Sequence, residues 1–346
     1  MARNIENPSQ GIDIVFNYGL FSFNTPNFIF RFSLGETDYQ LGATDYERFA
    51  AEYAFFGRSV WQQTLNLTDE EKTELIRLLQ ENYRPENRVY RYNFFYDNCA
   101  TRPRDKIEES IAGKVIYPAE PQDGSLTFRD IVHQYCKGHP WARFGIDLCI
   151  GSEADQPITQ RQMMFAPFYL MDAFDGAQIK GDSIQRPLIT ANELVVDATP
   201  EPDESDWMPT PLQCSLLLFI LTAAATIYGI RRRTGLWGID LFLFGIAGIV
   251  GCVLAFLALF SQHPAVSSNF LLLVFHPGQL LFLPYIIYCV RKGKKCWYLT
   301  LNLAVLTLFI VLFPVIPQRF DFAVVPLALV LLIRSASNLI VTSKKK

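Results

Sequence analysis

Histidine is scarce in this chain, four among 346 residues, and none of the four stands in an HExxH or His-x-Glu pattern. The seven cysteines form no CxxC pair, so the ligand spacing of a zinc site is missing and no metal or cofactor is expected. The first 30 residues lack the basic-then-apolar pattern of an export leader. No internal repeat is visible. Acidic residues all but vanish after Trp207, so the formal net charge of -3 describes neither half. A basic patch suited to nucleic acid is also missing, which argues against that partner.

What the second half does have is apolar runs broken by short basic clusters. Five stretches reach the roughly 20 residues that a helix needs to cross the hydrocarbon: Leu212 to Ile230, Trp237 to Phe260, Phe270 to Val290, Cys296 to Ile316 and Phe322 to Val341. His276, Pro277, Gly278, Gln279 and Pro284 interrupt the third and predict a kink or a protein-buried course. Arg231 to Arg233 follow the first span, Arg291, Lys292, Lys294 and Lys295 the third, and Lys344 to Lys346 the fifth. Cytoplasmic loops carry the excess of Lys and Arg, so these ten residues predict a cytoplasmic C-terminus and an extracytoplasmic N-terminal domain. Two explanations fit the missing leader: a natural start upstream of Met1, or insertion led by the first span with the domain threaded afterwards.

The expected organisation is an α+β extracytoplasmic domain over 1–198, an acidic proline-rich linker over 199–211, an all-α five-helix transmembrane bundle over 212–341 and a basic tail over 342–346. Trp207 is placed at the membrane interface. In the outer domain, Ile12 to Tyr18, Phe28 to Leu34, Tyr39 to Gly42 and Val60 to Leu67 read as strands. Thr68 and Glu71 form a capping box ahead of a helix over Asp69 to Tyr83. Arg88 to Phe95 reads as a strand, Thr127 to Tyr135 and Gln160 to Phe174 as helices, and Leu188 to Val196 as a last strand.

Cys99 stands where the Arg88 to Phe95 strand hands over to a helix that carries Pro103 in its first turn and stops at Gly113. Oriented amides at such a start stabilise a thiolate, and Arg102 and Arg104 add positive charge. A buried, inert thiol is the other reading, but the preceding Asp97 and Asn98 are poor company for one. A nucleophilic cysteine needs a base, normally an imidazole. His133 lies on a short helix, either packed there or at the site. His139 precedes a proline in a loop. His263 falls in the outer loop on the Cys99 side, and His276 inside a span, where an ionisable group suggests function. Cys136 and Cys149 are either a disulfide or two independent core thiols.

The segments "GIDIVFNYGLFSFNTPNF" (11–28), "LGATDYERFAAEYAFFGRSVWQQTLNLT" (41–68), "YRYNFFYDNCATRPRD" (90–105) and "LTFRDIVHQYCKGHPWARFGIDLCIG" (126–151) resemble the Lnb N-terminal periplasmic domain, named for bacterial lipoprotein transacylases. The multi-span tail, including "HPAVSSN", is similar to members of that family. The resemblance implies a permuted papain-like or NlpC/P60-like fold with Cys99 of "NCAT" as nucleophile. It also implies a glycine-histidine-threonine type motif just upstream of the strand ending "VFNYG", which this sequence does not contain, and Asn17 as the group that orients that histidine. Asn98 joins Cys99 and Asn17 in the implied catalytic set. Asp97, Thr101, Arg102, Arg104, His133 and His263 are accessory candidates. The implied activity is a cysteine-dependent acyl transfer in the bacterial inner membrane, from a lipid or lipoprotein through a thioester. A thiol peptidase or amidase acting on cell-wall peptide, or a non-catalytic membrane scaffold, is the alternative.

Overall fold

The computed structural model describes residues 2–7, 11–21, 26–119, 126–181, 185–198 and 208–343. Trp207, most of the linker and the tail from Lys344 to Lys346 lie outside the described residues. The chain begins with β1 (Ala2–Asn7), β2 (Ile12–Leu20), α1 (Phe28–Leu34), β3 (Asp38–Asp45), α2 (Tyr46–Phe55) and β4 (Val60–Leu65). It continues through α3 (Asp69–Tyr83), β5 (Val89–Arg91), α4 (Thr101–Ser110), β6 (Lys114–Ile116), α5 (Phe128–Tyr135) and α6 (Pro140–Cys149). Then come α7 (Gln160–Met163), α8 (Pro167–Asp175), β7 (Gln178–Lys180), β8 (Gln185–Pro187) and β9 (Ile189–Val196). Last are α9 (Pro211–Arg232), α10 (Trp237–Phe260), α11 (Gly278–Leu281), α12 (Leu283–Lys292), α13 (Trp297–Leu312) and α14 (Val324–Ser343).

Two compact units divide these elements: residues 1–131 with 157–204, and residues 132–156 with 205–346. The first is mixed α and β. Its principal sheet is antiparallel in the order β1-β2-β3-β5, beside a β4-β9 pair and a three-stranded β6-β7-β8 sheet. Phe16, Tyr18, Leu41, Leu79, Ile107, Leu170 and Phe174 are buried in one core.

Helix α3 shows how local signals fix an element. The Thr68 hydroxyl accepts from Glu71 N–H, and the Glu71 carboxylate accepts from Thr68 N–H at 2.8 Å, so two orphan donors are satisfied at once. Glu71 is 3% exposed, pairs with Arg186 and accepts from Ala112 N–H. Burial pushes its carboxyl up, but the Arg186 bond and the two amide bonds outweigh that and hold it below its ordinary 4.5. A lowered folded value stabilises the fold above the unfolded value, and the contribution is lost as pH falls through the folded value. Thermal unfolding of the full chain is therefore expected to weaken in acid below about pH 4.5, and Glu71→Gln to flatten that part of the profile.

Residues 28 to 34 form helix α1, not the strand that their aromatic and β-branched composition suggested. Gly35, at φ 73°, closes a left-handed stop in which its N–H donates to Phe32 O and Glu36 N–H to Arg31 O, at 3.0 and 2.8 Å. That stop outweighs β propensity, which follows packing context more than backbone preference. The single helix expected over Gln160 to Phe174 is two, because Pro167 has no N–H to continue the ladder and instead begins α8. The helix after Cys99 ends at Ser110, capped by Ile111, three residues before the expected glycine.

The second unit is helical. Helices α9, α10 and α14 are long and apolar enough to cross a membrane; α12 and α13, bent by 111° at their break, make a fourth span if taken together. The five spans expected from sequence, the third of them interrupted, are thus met by three long helices and a fourth only if the bent pair is joined. Residues 270–292 run as a 3-10 turn (Phe270–Leu273), α11 and α12, because Pro277 and Pro284 remove helix donors. Within this unit, α6 and the residues after it are tied to the loop before that broken segment and to the loop between α13 and α14. Gly151 N–H donates to Ala265 O (2.7 Å), the Asn269 amide to Leu148 O (2.8 Å) and the Gln318 amide to Ile150 O (3.2 Å). Arg319 pairs with Asp155 at 3.0 Å.

Candidate active site

Cys99 is positioned by a sequence of tight turns. After β5 the chain folds back on itself between Asn93 and Asp97, whose N–H and C=O groups exchange hydrogen bonds of 2.9 and 3.0 Å. Asn98 then stops the hairpin and starts α4. Its Oδ1 accepts from Ala100 N–H and Thr101 N–H (2.8 and 3.0 Å), and its Nδ2 donates to Phe94 O and Phe165 O (2.8 and 2.9 Å). Asn98 N–H donates to the Thr101 hydroxyl at 2.8 Å. This is the reciprocal logic of a helix cap, with Asn98 itself 4% exposed.

The consequence for Cys99 is a fixed main chain at the first turn of α4. The next two amides are spent on Asn98, which leaves the Cys99 N–H, without a partner among the described residues, as the donor beside the sulfur. The thiol is half-buried against the core. Its other wall is β2, whose register slips between Asn17 and Leu20, a bulge that brings Gly19 over the cysteine. At φ 98°, a Cβ on Gly19 would lie 3.1 Å from Cys99 Cβ and 4.0 Å from Sγ, so this position takes glycine for both conformation and space. Asn17 lies two residues back on the same strand, half-buried, opposite Gly42 of β3 and Ala2 of β1.

The charged neighbours are committed elsewhere. Arg102 makes a bidentate pair with Asp97 (2.7 Å each) and lies 3.7 Å over the Tyr90 ring. Arg104 pairs with Asp105 at 2.8 Å and donates to Arg161 O at 3.0 Å. Neither guanidinium is the free positive charge that the sequence suggested.

A ring of phenols, unforeseen from sequence, completes the site. Burial raises the pKa of Tyr39, Tyr90 and Tyr92, and the nearby Cys99 charge raises each further. Tyr39 and Tyr92 stack at 4.1 Å, and Tyr90 Oη is buried without a partner among the described residues. Tyr53 feels the same two influences and also lines a cavity of about 650 Å³. Val15, Phe49, Leu65, Leu75, Leu79 and Met171 give that cavity its apolar walls, with Trp61 and Phe168 in edge contact beside it. The only sequence trace of the ring is the alternation of Tyr90 and Tyr92 in "YRY".

All four histidines belong to the second unit, so the residues that form the unit of Cys99 contain none. His133 Nε2 is bonded to the buried Asp147 carboxylate at 2.8 and 3.0 Å. His139 is exposed at the start of α6. His263 N–H donates to Ser261 Oγ at 3.3 Å, and His276 is bonded to Asn302 at 3.3 Å. Cys136 and Cys149 are both free thiols, each pushed up by burial, Cys136 further by the Asp147 charge.

Two family models match the chain: the Lnb N-terminal periplasmic domain over residues 4–133 and the Lnb transmembrane domain over residues 203–346. No curated protein and no solved structure matches it.

Proposed function

Because the chain belongs to the Lnb family, as an inner-membrane protein with a periplasmic N-terminal domain and a transmembrane domain, we propose that it is a cysteine-dependent acyltransferase acting on lipid-modified substrates. Cys99 is the nucleophile. The carrying observation is its half-buried thiol, held at the start of α4 by the fully bonded Asn98 and faced by a glycine.

The Cys99 thiolate attacks an ester carbonyl of a diacylglyceryl lipoprotein, and the C–O bond breaks. The acyl group stays on sulfur as a thioester, and the released alkoxide takes a proton to become the lyso product. An amine, in the transacylase case the N-terminal cysteine of the same lipoprotein, then attacks the thioester, gives up a proton and restores the thiol. The Cys99 N–H is the backbone donor for the oxyanion, and Tyr90, kept protonated and without a partner, is a second. Asn98, Thr101, Asp97, Arg102 and Arg104 act as positioning residues. The cavity that Tyr53 lines has the size of a small-molecule pocket, and its apolar side suits an acyl chain while Glu6, Gln62, Gln63 and Lys72 line it with polar groups.

Asn17, two residues before Gly19 on β2, orients the general base. His133, paired with Asp147, and His263 take accessory roles at the membrane face. The periplasmic unit is read as a permuted papain-like or NlpC/P60-like fold.

The membrane unit is read as five passes, the third being the broken 270–292 segment, with the C-terminus cytoplasmic. The basic clusters after α9 and α12 support that orientation. So do the bonds from residues 148–155, which continue the periplasmic chain, to the opposite loops at 265–269 and 318–319.

The thioester is the species to catch. Acid quenching of the full chain on a diacylated lipopeptide is expected to leave a hydroxylamine-labile fatty acyl group on the Cys99 peptide. Amide-linked acyl groups alone, or none on that peptide, would refute the assignment.

A further inference from the structure

The broken third segment carries polar atoms that the Cys99 chemistry does not use. Gly248 and Gly251 of α10 let it pack closely: a Cβ on Gly251 would lie 2.4 Å from His276 N, and one on Gly248 2.5 Å from Leu280 N. His276 is thereby fixed in the helical unit, and its ring faces Tyr298 with centroids 6.1 Å apart. Tyr298 is 4% exposed and its hydroxyl has no hydrogen-bond partner among the described residues. An orphan hydroxyl at that depth costs about 1–3 kcal/mol, so it points to a partner from outside the chain.

The donor and acceptor roles follow from the network behind His276. Ser335 donates its one O–H to Leu331 O at 2.9 Å, so its oxygen accepts from the Asn302 amide at 3.0 Å. Asn302 Oδ1 is then the atom facing His276 Nε2, at 3.3 Å, and that nitrogen must carry the proton. A neutral imidazole in a membrane segment leaves Nδ1 as a bare acceptor. Nδ1 and the Tyr298 hydroxyl both border the flank of Gly278, 2.9 and 3.5 Å from where its Cβ would stand. Their separation is at most the sum of those two lengths, and one oxygen hydrogen-bonded to both spans about 5–6 Å.

We infer that His276 and Tyr298 bind the free hydroxyl of a glycerolipid. An alcohol donates its proton to Nδ1 and accepts from the Tyr298 O–H. An ester carbonyl has no proton to give, and an ammonium has no lone pair to receive one. Tyr298 Oη is itself shut off from solvent, so the lipid hydroxyl enters from the half-buried edge formed by His276, Pro277 and Gly278, where Leu281 is 75% exposed, an apolar surface for the lipid's chains. This binding is independent of the reaction at Cys99.

The test uses the full chain in detergent and native mass spectrometry with 1,2-dioctanoylglycerol, its 3-O-methyl ether and free glycerol as probes. The alcohol is expected to be retained about tenfold better than the ether, the effect of one to two hydrogen bonds, and excess glycerol to leave it in place. Tyr298→Phe, which keeps the ring, and Gly278→Ala, which puts a methyl against Nδ1, are each expected to erase the preference. Equal retention of alcohol and ether, retention of neither, displacement by equimolar glycerol, or a preference that survives both substitutions would overturn the inference.

Discussion

Cys99→Ala is expected to abolish formation of lyso-form lipoproteins in cells while leaving the protein in the membrane at its normal level. The predicted loss is complete because in the proposed reaction the sulfur is the covalent carrier: without it no thioester would form, and the remaining donors would have nothing to stabilise. Lipoprotein mass spectra give the readout. Removal of Asn98 should act differently. Asn98→Ala leaves the nucleophile but frees Ala100 N–H and Thr101 N–H from their shared acceptor and two carbonyls from their donor, so stability and activity should fall together, by about 1–2 kcal/mol for a lost cap. Normal spectra from the Cys99→Ala strain would end the enzymatic reading and favour a scaffold.

A second large effect is expected in the membrane unit. Arg334 of α14 and Asp240 of α10 form a bidentate pair at 2.7 and 3.0 Å, each side chain 2% exposed, and Arg334 also donates to the Thr226 hydroxyl of α9 at 3.0 Å. One polar cluster thus links three helices. Asp240→Ala should cost about 3–5 kcal/mol, because it strands a guanidinium away from water. Asp240→Leu combined with Arg334→Met should recover most of that, since a well-packed apolar pair avoids the desolvation penalty. Thermal unfolding in detergent separates the two variants; a single substitution that leaves the transition unmoved would show that the pair is hydrated.

The elements legible from sequence are those whose signals are local. Helix α3 begins and ends where the Thr68 capping box and Pro85 indicate, and α10 matches its apolar run from Trp237 to Phe260. Helix α1 was misread because Phe28 to Leu34 has a strand's composition, and the deciding residue, Gly35, acts by conformation alone. At the candidate site, the handover from strand to helix at Cys99 could be read because Asp97, Asn98 and Thr101 are neighbours in sequence. Gly19 and the phenols could not, since a bulge in β2 and the pairing of β3 with β5 bring them there from far along the chain. The pairing of Arg102 with Asp97 lay within five residues, yet sequence does not say which of two nearby charges a guanidinium will take.

The path of the backbone between its two units has a practical side. Residues 132–156 are flanked on both sides by the Cys99 unit, yet they pack with the membrane helices, where Phe144 and Leu148 lie against the apolar core. A fragment cut at residue 198 would carry that stretch stripped of its bed, without the bonds that Leu148 O, Ile150 O and the Gly151 amide make to Asn269, Gln318 and Ala265. Any excision of the Cys99 unit therefore has to replace the insert with a short spacer as well as sever the tether.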